Sequence, residues 1–449
     1  MELSAESVLA LAPDAASAKA ANGLLKPGIW PTLGANAAAV WGECQGSGSK
    51  PYQTQVDLSG PTFKCSCPSR KFPCKHGLAL LLLRAKDASL FTATTPPAWV
   101  AEWLGARTER AQKKDDQQRE KALAPPPDPS VALKSTQQRW KHIDAGVAEL
   151  QQWLLDQMAR GLGSLGPGSR AAWQSMAARM VDAKAPGLGQ RLNNAADGLM
   201  RGASWPENTL RQLGLLQLVC EAVARRAALS EPASADLRVT LGWPLDKDAV
   251  LAQPDAVQDE WQVIGAIQEE RENNLQERRV WLQGLRSGRR ALLLEHSFAG
   301  KGFELAWLGQ SRHEAALAFY PSGAPLRALV ASSAANASTA STSISAPGAQ
   351  DSANPEQEWR TIAQRIADNP WIPLHPLRCR EAIPWRDGDG FSLHWGNQSL
   401  PLTINEAQGW ALLALSGGQP LALMGEWNGE TLRPLSAQGL DGVWNWSAS

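Results

Sequence analysis

The chain has 449 residues, more than one ordinary domain holds, so two to four folded units are expected. Lysine plus arginine equals aspartate plus glutamate at 44 each, so no global charge marks a nucleic-acid binder. No run of eighteen apolar residues is present, and the first twenty residues lack the basic region of a signal peptide. Without an export or membrane signal, the expected location is the cytoplasm.

In chain order, Ser4 to Leu11 and Asp14 to Ala21 predict two short helices, each opened by a capping residue, with Gly23 beyond the second. Val40 to Cys44 and Tyr52 to Leu58 alternate as strands joined by QGSGSKP, a hairpin connection or a contact loop. The stretch FKCSCPSRKFPCKHGLALLLLR, Phe63 to Arg84, carries the chemistry. Cys65, Cys67, Cys74 and His76 supply three thiols and an imidazole, the number and types that a closed tetrahedral zinc site takes.

The spacing has a physical reason. Residues i and i+2 of an extended segment face one side, so Cys65 and Cys67 at a strand end can meet one ion. Pro68 and Pro73 bracket a knuckle that turns the chain back. Cys74 and His76 then open a leucine-rich helix from Gly77 to Lys86, whose positive end favours thiolate charge. Three other readings compete for these cysteines. Disulfides need an oxidising compartment, free buried thiols need no histidine in register, and a redox pair is normally Cys-x-x-Cys, which is absent.

The pattern Cys65-x-Cys67, six residues, Cys74-x-His76 is similar to the SWIM zinc finger, CxC followed by a variable gap and CxH, at all four ligand positions. The flanking WGECQGSGSKPYQTQVDLSGP and GLALLLL resemble bacterial SWIM-finger proteins, over about the first hundred residues. The resemblance implies one structural Zn2+ held by Cys65, Cys67, Cys74 and His76, with protein or DNA contact proposed for the finger. Bacterial members are often encoded near MoxR-type AAA ATPases and von Willebrand A-domain proteins, which implies a partner of that kind. Between Gly60 and Lys86 lie six basic residues, Lys64, Arg70, Lys71, Lys75, Arg84 and Lys86, and no acidic one. The side chains beside the ligands are expected to point outward, toward an acidic partner or phosphate, or only to keep the thiolates ionised.

Pro96-Pro97 starts a helix through Trp99 and Trp103 that packs back on the finger, closing a first unit at residues 1–106. Residues 107–134 are charged on every side and then proline-rich, a linker. Residues 135–231 are helical: Trp140, Ile143, Val147, Leu150, Leu154 and Met158 recur at three and four. Trp173, Met176 and Met180 mark a second helix, and Leu210 to Val223 a third. Gly161, Gly163 and Gly166 spell GxGxxG, but they follow a helix and lack a βαβ frame, so no dinucleotide site is assigned.

From residue 232 the reading changes to strands: Leu237 to Leu241, Trp261 to Gln268, Arg279 to Leu285, Arg290 to His296, Phe303 to Leu308 and Ala316 to Tyr320, a β-rich unit over 232–330. Residues 331–355 are an alanine and serine segment expected to be disordered, a linker or an insert. Residues 356–449 form a second strand-rich part, with a helix from Glu356 to Ala367 and one capped by Asn405. Its strands are expected around Phe391 to Trp395, Leu400 to Ile404, Leu421 to Glu426 and Gly442 to Trp446. The two strand-rich parts are one region or two. The expected class is α+β and multidomain: a small zinc-stapled ββα-type SWIM finger, a helical middle and an antiparallel β-rich C-terminal region.

No HExxH, GxSxG or Walker A pattern occurs, and a closed Cys3His site has no open position, so no enzyme is expected. His142, His296, His313, His375 and His394 read as surface or core histidines, Cys44, Cys220 and Cys379 as buried thiols, and Arg386 to Gly390 as a hairpin turn. The twenty tryptophans read as core and interface anchors. The leading function is a protein-interaction module built on a zinc-stapled finger. The alternative is DNA or RNA contact through its basic rim, and no membrane partner is expected.

Overall fold

A computed structural model gives the architecture. It describes residues 5–9, 11–12, 15–46, 48, 50–58, 62–69, 71–109, 129–166, 168–202, 204–271, 275–298, 303, 307, 309–333, 354–388, 390–440 and 442–446. The N-terminal unit has helices α1 (Ala5–Leu9) and α2 (Ala15–Asn22) and an antiparallel sheet of β1 (Thr32–Ala35), β2 (Ala39–Cys44), β3 (Tyr52–Asp57) and β4 (Thr62–Cys65), in that order. Helix α3 (Lys75–Lys86) lies on one face of the sheet. Because Leu78 to Leu83 are all buried, it is encased rather than amphipathic. Alternation along β2 turns Val40 toward α3 and Ala39 and Trp41 to the opposite face, where Val100 of α4 (98–109) packs. Helix α4 carries Arg107, which ion-pairs with Asp57 at 3.1 Å, so the helix runs past Trp103 into the start of the expected linker.

The helical unit comprises α5 (Pro129–Arg160), α6 (Ser169–Asp182), α7 (Pro186–Gly198), α8 (Trp205–Ala224) and α9 (Glu231–Leu241). Ile143, Val147, Leu150 and Leu154 of α5 meet Trp173, Met180, Leu188, Leu192, Leu216 and Val219 in one core. Leu237 to Leu241, expected as a strand, is instead the end of α9. A strand would put Leu237, Val239 and Leu241 on one side, but Leu237 and Leu241 are fully buried whereas Val239 is exposed, the spacing of a helix. Ser230 caps this helix by accepting the Ala233 N–H, Pro232 lies in its first turn, and left-handed Gly242 ends it. The change to strands therefore comes after residue 232. A short helix, α10 (Lys247–Leu251), precedes the first strand.

Five strands follow: β5 (Val257–Arg271), β6 (Leu275–Gly284), β7 (Arg290–Phe298), β8 (Arg312–Phe319) and β9 (Arg327–Ser333). They close into a barrel in the order β5-β6-β7-β9-β8, with β7 and β9 parallel and β5 shared between β6 and β8. That order is the Greek-key barrel of OB type. The long β5 bends to serve both neighbours at a register shift between Val263 and Gly265. Residues 304–306 and 308 of the expected strand Phe303 to Leu308 lie outside the described residues, and Phe303 and Trp307 are not in a strand. Of the alanine and serine segment, 334–353 also lie outside them; 331–333 complete β9.

The last part has helix α11 (Pro355–Asp368), then β10 (His375–Asp387), β11 (Gly390–Trp395), β12 (Gln398–Pro401), helix α12 (Glu406–Ser416), and β13 (Leu421–Trp427), β14 (Leu432–Gln438) and β15 (Val443–Asn445). The antiparallel sheet runs β12-β11-β10-β13-β14-β15, and Asn405 caps α12 as expected. This sheet covers the outer face of the barrel. Met424 and Leu435 pack on Ile264, Ile267 and Trp281, and the Ser436 hydroxyl donates to the Ile264 carbonyl at 2.6 Å. The two strand-rich parts thus share a core. Among the described residues no helix is long and apolar enough to cross a membrane. The whole is an α+β chain with a finger unit, a helical bundle and a β-rich C-terminal region.

Candidate metal centre

Two elements bring the four ligands together. Cys65 is the last residue of β4 and Cys67 follows in the turn, while Cys74 sits just before α3 and His76 in its first turn. Register sets Thr54 of β3 directly opposite Cys65, and its hydroxyl lies 3.1 Å from the sulfur. Tyr52, two residues back on the same strand, places its ring 4.9 Å from that of His76. Cys74 and His76 are buried; Cys65 and Cys67 are half-buried.

The three sulfurs and an imidazole nitrogen all lie within 4.8 Å of one another, and Cys65 Sγ is 3.8 Å from His76 Nδ1. Ligand bonds of about 2.3 Å to sulfur and 2.0 Å to nitrogen, arranged tetrahedrally, put neighbouring ligand atoms roughly 3.5 to 3.8 Å apart. A small contraction of the cluster therefore meets the requirement of one zinc ion. The donor set, three soft thiolates and one imidazole, suits zinc over the hard cations that choose oxygen.

The thiols are already unequal. Cys65 is held down to about 4 by a hydrogen bond from Cys74; burial opposes this, and His76 and Thr54 assist. Cys74 is pushed up because it gives its proton to that bond, and burial adds to the effect; the Gly77 N–H donates to its sulfur. Burial also raises Cys67. A zinc ion takes sulfur as thiolate, so binding at this cluster releases thiol protons. Cys44, fully buried near them, is pushed up to about 11, mainly by burial, and stays a thiol.

Around the centre, Lys64, Lys71 and Lys75 are exposed as expected, whereas Arg70 lies outside the described residues. The remaining histidines stay apart from the cluster. His142, His296 and His394 are exposed. Burial lowers His313 to about 4, and its Nε2 meets the Ser311 hydroxyl at 2.7 Å. His375 is lowered to about 4 by burial, with Arg365 adding to it, and its Nδ1 has no partner among the described residues. Cys220 and Cys379 are buried and free, as expected. The supporting Tyr52 and Thr54 were not singled out in the sequence; their signal is alternation in the strand that pairs with the one carrying Cys65.

Comparison with known families decides the identity of this unit: residues 52–85 match the SWIM zinc finger. The chain carries a SWIM finger. The matched span begins at Tyr52, so it includes the supporting strand as well as all four ligands. Residues 138–241 match the SWIM-associated four-helix bundle domain, a span that ends with the last residue of α9. No curated protein and no solved structure matches the chain. Cys65, Cys67, Cys74 and His76 of the SWIM finger are arranged to bind one zinc ion.

Proposed function

We propose that this is a non-catalytic protein whose SWIM finger, stapled by one structural zinc, presents a surface to a protein partner. The observation that carries this reading is the closed ligand set: four protein donors fill a tetrahedral ion and leave no position for water or substrate. Zinc here supplies folding free energy, and the chain's own residues do the rest. β4 and α3 are pinned end to end, and Lys64, Lys71 and Lys75 are displayed beside the pin.

The partner is an acidic protein face in the cytoplasm; an AAA ATPase or a von Willebrand A-domain protein is the candidate by family analogy. A second reading, contact with DNA or RNA through the same lysines, rests on the absence of acidic residues between 60 and 86. The barrel lends that reading little support. In barrels of OB type the face of the second and third strands takes oligonucleotides, and here the second sheet covers it through Trp281 and Arg279.

The deciding experiment is affinity capture with the full chain beside a Lys64→Glu, Lys71→Glu variant, with zinc content measured in both. Loss of a protein partner with zinc retained supports the proposal. Loss of nucleic-acid binding, with a salt slope flattened by about two charges, supports the second reading. An unchanged partner list removes the rim from consideration.

A further inference from the structure

Between the barrel and the second sheet lies a cleft of about 230 Å³. Its charged wall is made by Glu269, Arg271, Arg279, Glu426 and Arg433, and Thr403, Asn428 and Thr431 line it beside them. The formal charges largely cancel, but the hydrogen bonds do not. Arg279, at the base, commits Nε and Nη2 to Glu426 and Nη1 to Glu269 and Glu277. Glu269 also accepts from Arg433 Nη1 at 2.6 Å, and Glu277 from Arg271 Nη2 at 2.6 Å. The carboxylates are thereby taken up by guanidinium groups.

A guanidinium has five N–H donors, so Arg433 and Arg271, both partly exposed, keep further edges that no described residue claims. The Thr431 hydroxyl accepts from Thr403 at 2.7 Å and from Asn428 Nδ2 at 3.2 Å, which leaves its own proton to give. Each carboxylate of the cleft already accepts from at least one guanidinium, whereas Arg271, Arg433 and Thr431 keep donors to give. What completes it must bring acceptors. A volume below the roughly 300 Å³ at which pockets for whole drug-sized molecules begin fits one anionic group with a few attached atoms.

We propose that this cleft binds an oxyanion, the phosphate or carboxylate group of a small molecule, with Arg433, Arg271 and Thr431 as donors. Charge-assisted bonds from two guanidinium groups give it both affinity and geometry. The site is separate from the finger and does not depend on the function proposed for it.

Titration calorimetry and thermal unfolding of the full zinc-loaded chain with inorganic phosphate and with citrate, against chloride at equal ionic strength, test the site. Saturable binding with a rise in Tm is expected from phosphate, citrate or both, and which of them acts names the group. Arg433→Gln is expected to weaken it at least tenfold, and Thr431→Val a few fold, each with its zinc content unchanged. Should Arg433→Gln not fold, Thr431→Val carries the comparison. Equal stabilisation by chloride, no binding of either anion, or variants that bind like the parent would overturn the proposal.

Discussion

The Arg279 guanidinium holds Glu426 by two parallel hydrogen bonds, Nε to Oε1 at 2.8 Å and Nη2 to Oε2 at 2.9 Å, across 147 residues of sequence. Both side chains are buried, and the Trp281 indole donates to the same carboxylate at 2.9 Å. This pair locks the second sheet onto the barrel. Glu426→Ala leaves a buried cation short of its main partner and is expected to cost about 3 to 5 kcal/mol. Replacing both residues by methionine is expected to recover much of that loss. Urea denaturation of the three proteins checks both, and a cost below about 1 kcal/mol for the single change would contradict the lock.

Purified protein is expected to contain one zinc per chain, with X-ray absorption reporting three sulfurs near 2.3 Å and one nitrogen near 2.0 to 2.1 Å. Cys65→Ser is expected to lose the ion and to unfold the SWIM finger unit, while the helical and β-rich parts keep their cooperative transitions. A variant that retains a full equivalent of zinc would remove Cys65 from the ligand set.

Acid should weaken the barrel through Asp259. This residue is fully buried, and burial works to raise its pKa, but hydrogen bonds from the Ser287 hydroxyl and the N–H groups of Ser287, Arg286 and Glu260 outweigh it and hold it below the usual carboxylate value. A lowered folded pKa contributes stability that is complete above the unfolded value of about 3.9 and is lost as pH falls through the folded one. Asp259→Asn is expected to remove this part of the acid dependence. Unfolding midpoints compared from pH 5 downward check it, and parallel curves for the two proteins would count against the assignment.

Tight packing in the bundle gives a sharper test. A Cβ on Gly187 would stand 2.2 Å from the Thr240 carbonyl oxygen and 2.7 Å from the Gly242 N–H nitrogen, both rigid backbone atoms of the α9 end. Gly187→Ala is expected to destabilise the bundle by about 1 to 3 kcal/mol. Gly163→Ala, with nothing within 4 Å, is the control expected to cost little. Equal thermal shifts for the two would mean that α7 and α9 are not held so closely.

The metal site was legible in the sequence because its chemistry is local: four ligands lie within a dozen residues, and strand and helix signals stand on either side. The Asn405 cap was legible for the same reason. Strands β10 and β14 were not, since each contains proline, a residue that ordinarily argues against a strand. Pro434 is tolerated in β14 beside a register shift against β13, which only the paired strand reveals. The Leu237 to Leu241 misreading has a similar origin: Leu-Arg-Val-Thr-Leu alternates like a strand, and the bundle beneath it decides which leucines are buried. The Arg279 and Glu426 pairing leaves no trace in either local segment.

Helix α3 has no polar side on which to exist outside its pocket, and its first turn is fastened by Cys74, whose sulfur both caps the helix and belongs to the ligand set. Whatever unfastens that turn bares a greasy run from Leu78 to Leu83, the sort of surface that chaperones hold and proteases clear. In a cell starved of zinc, the first thing to change would be how many copies of this protein survive, before any question of what the survivors can bind.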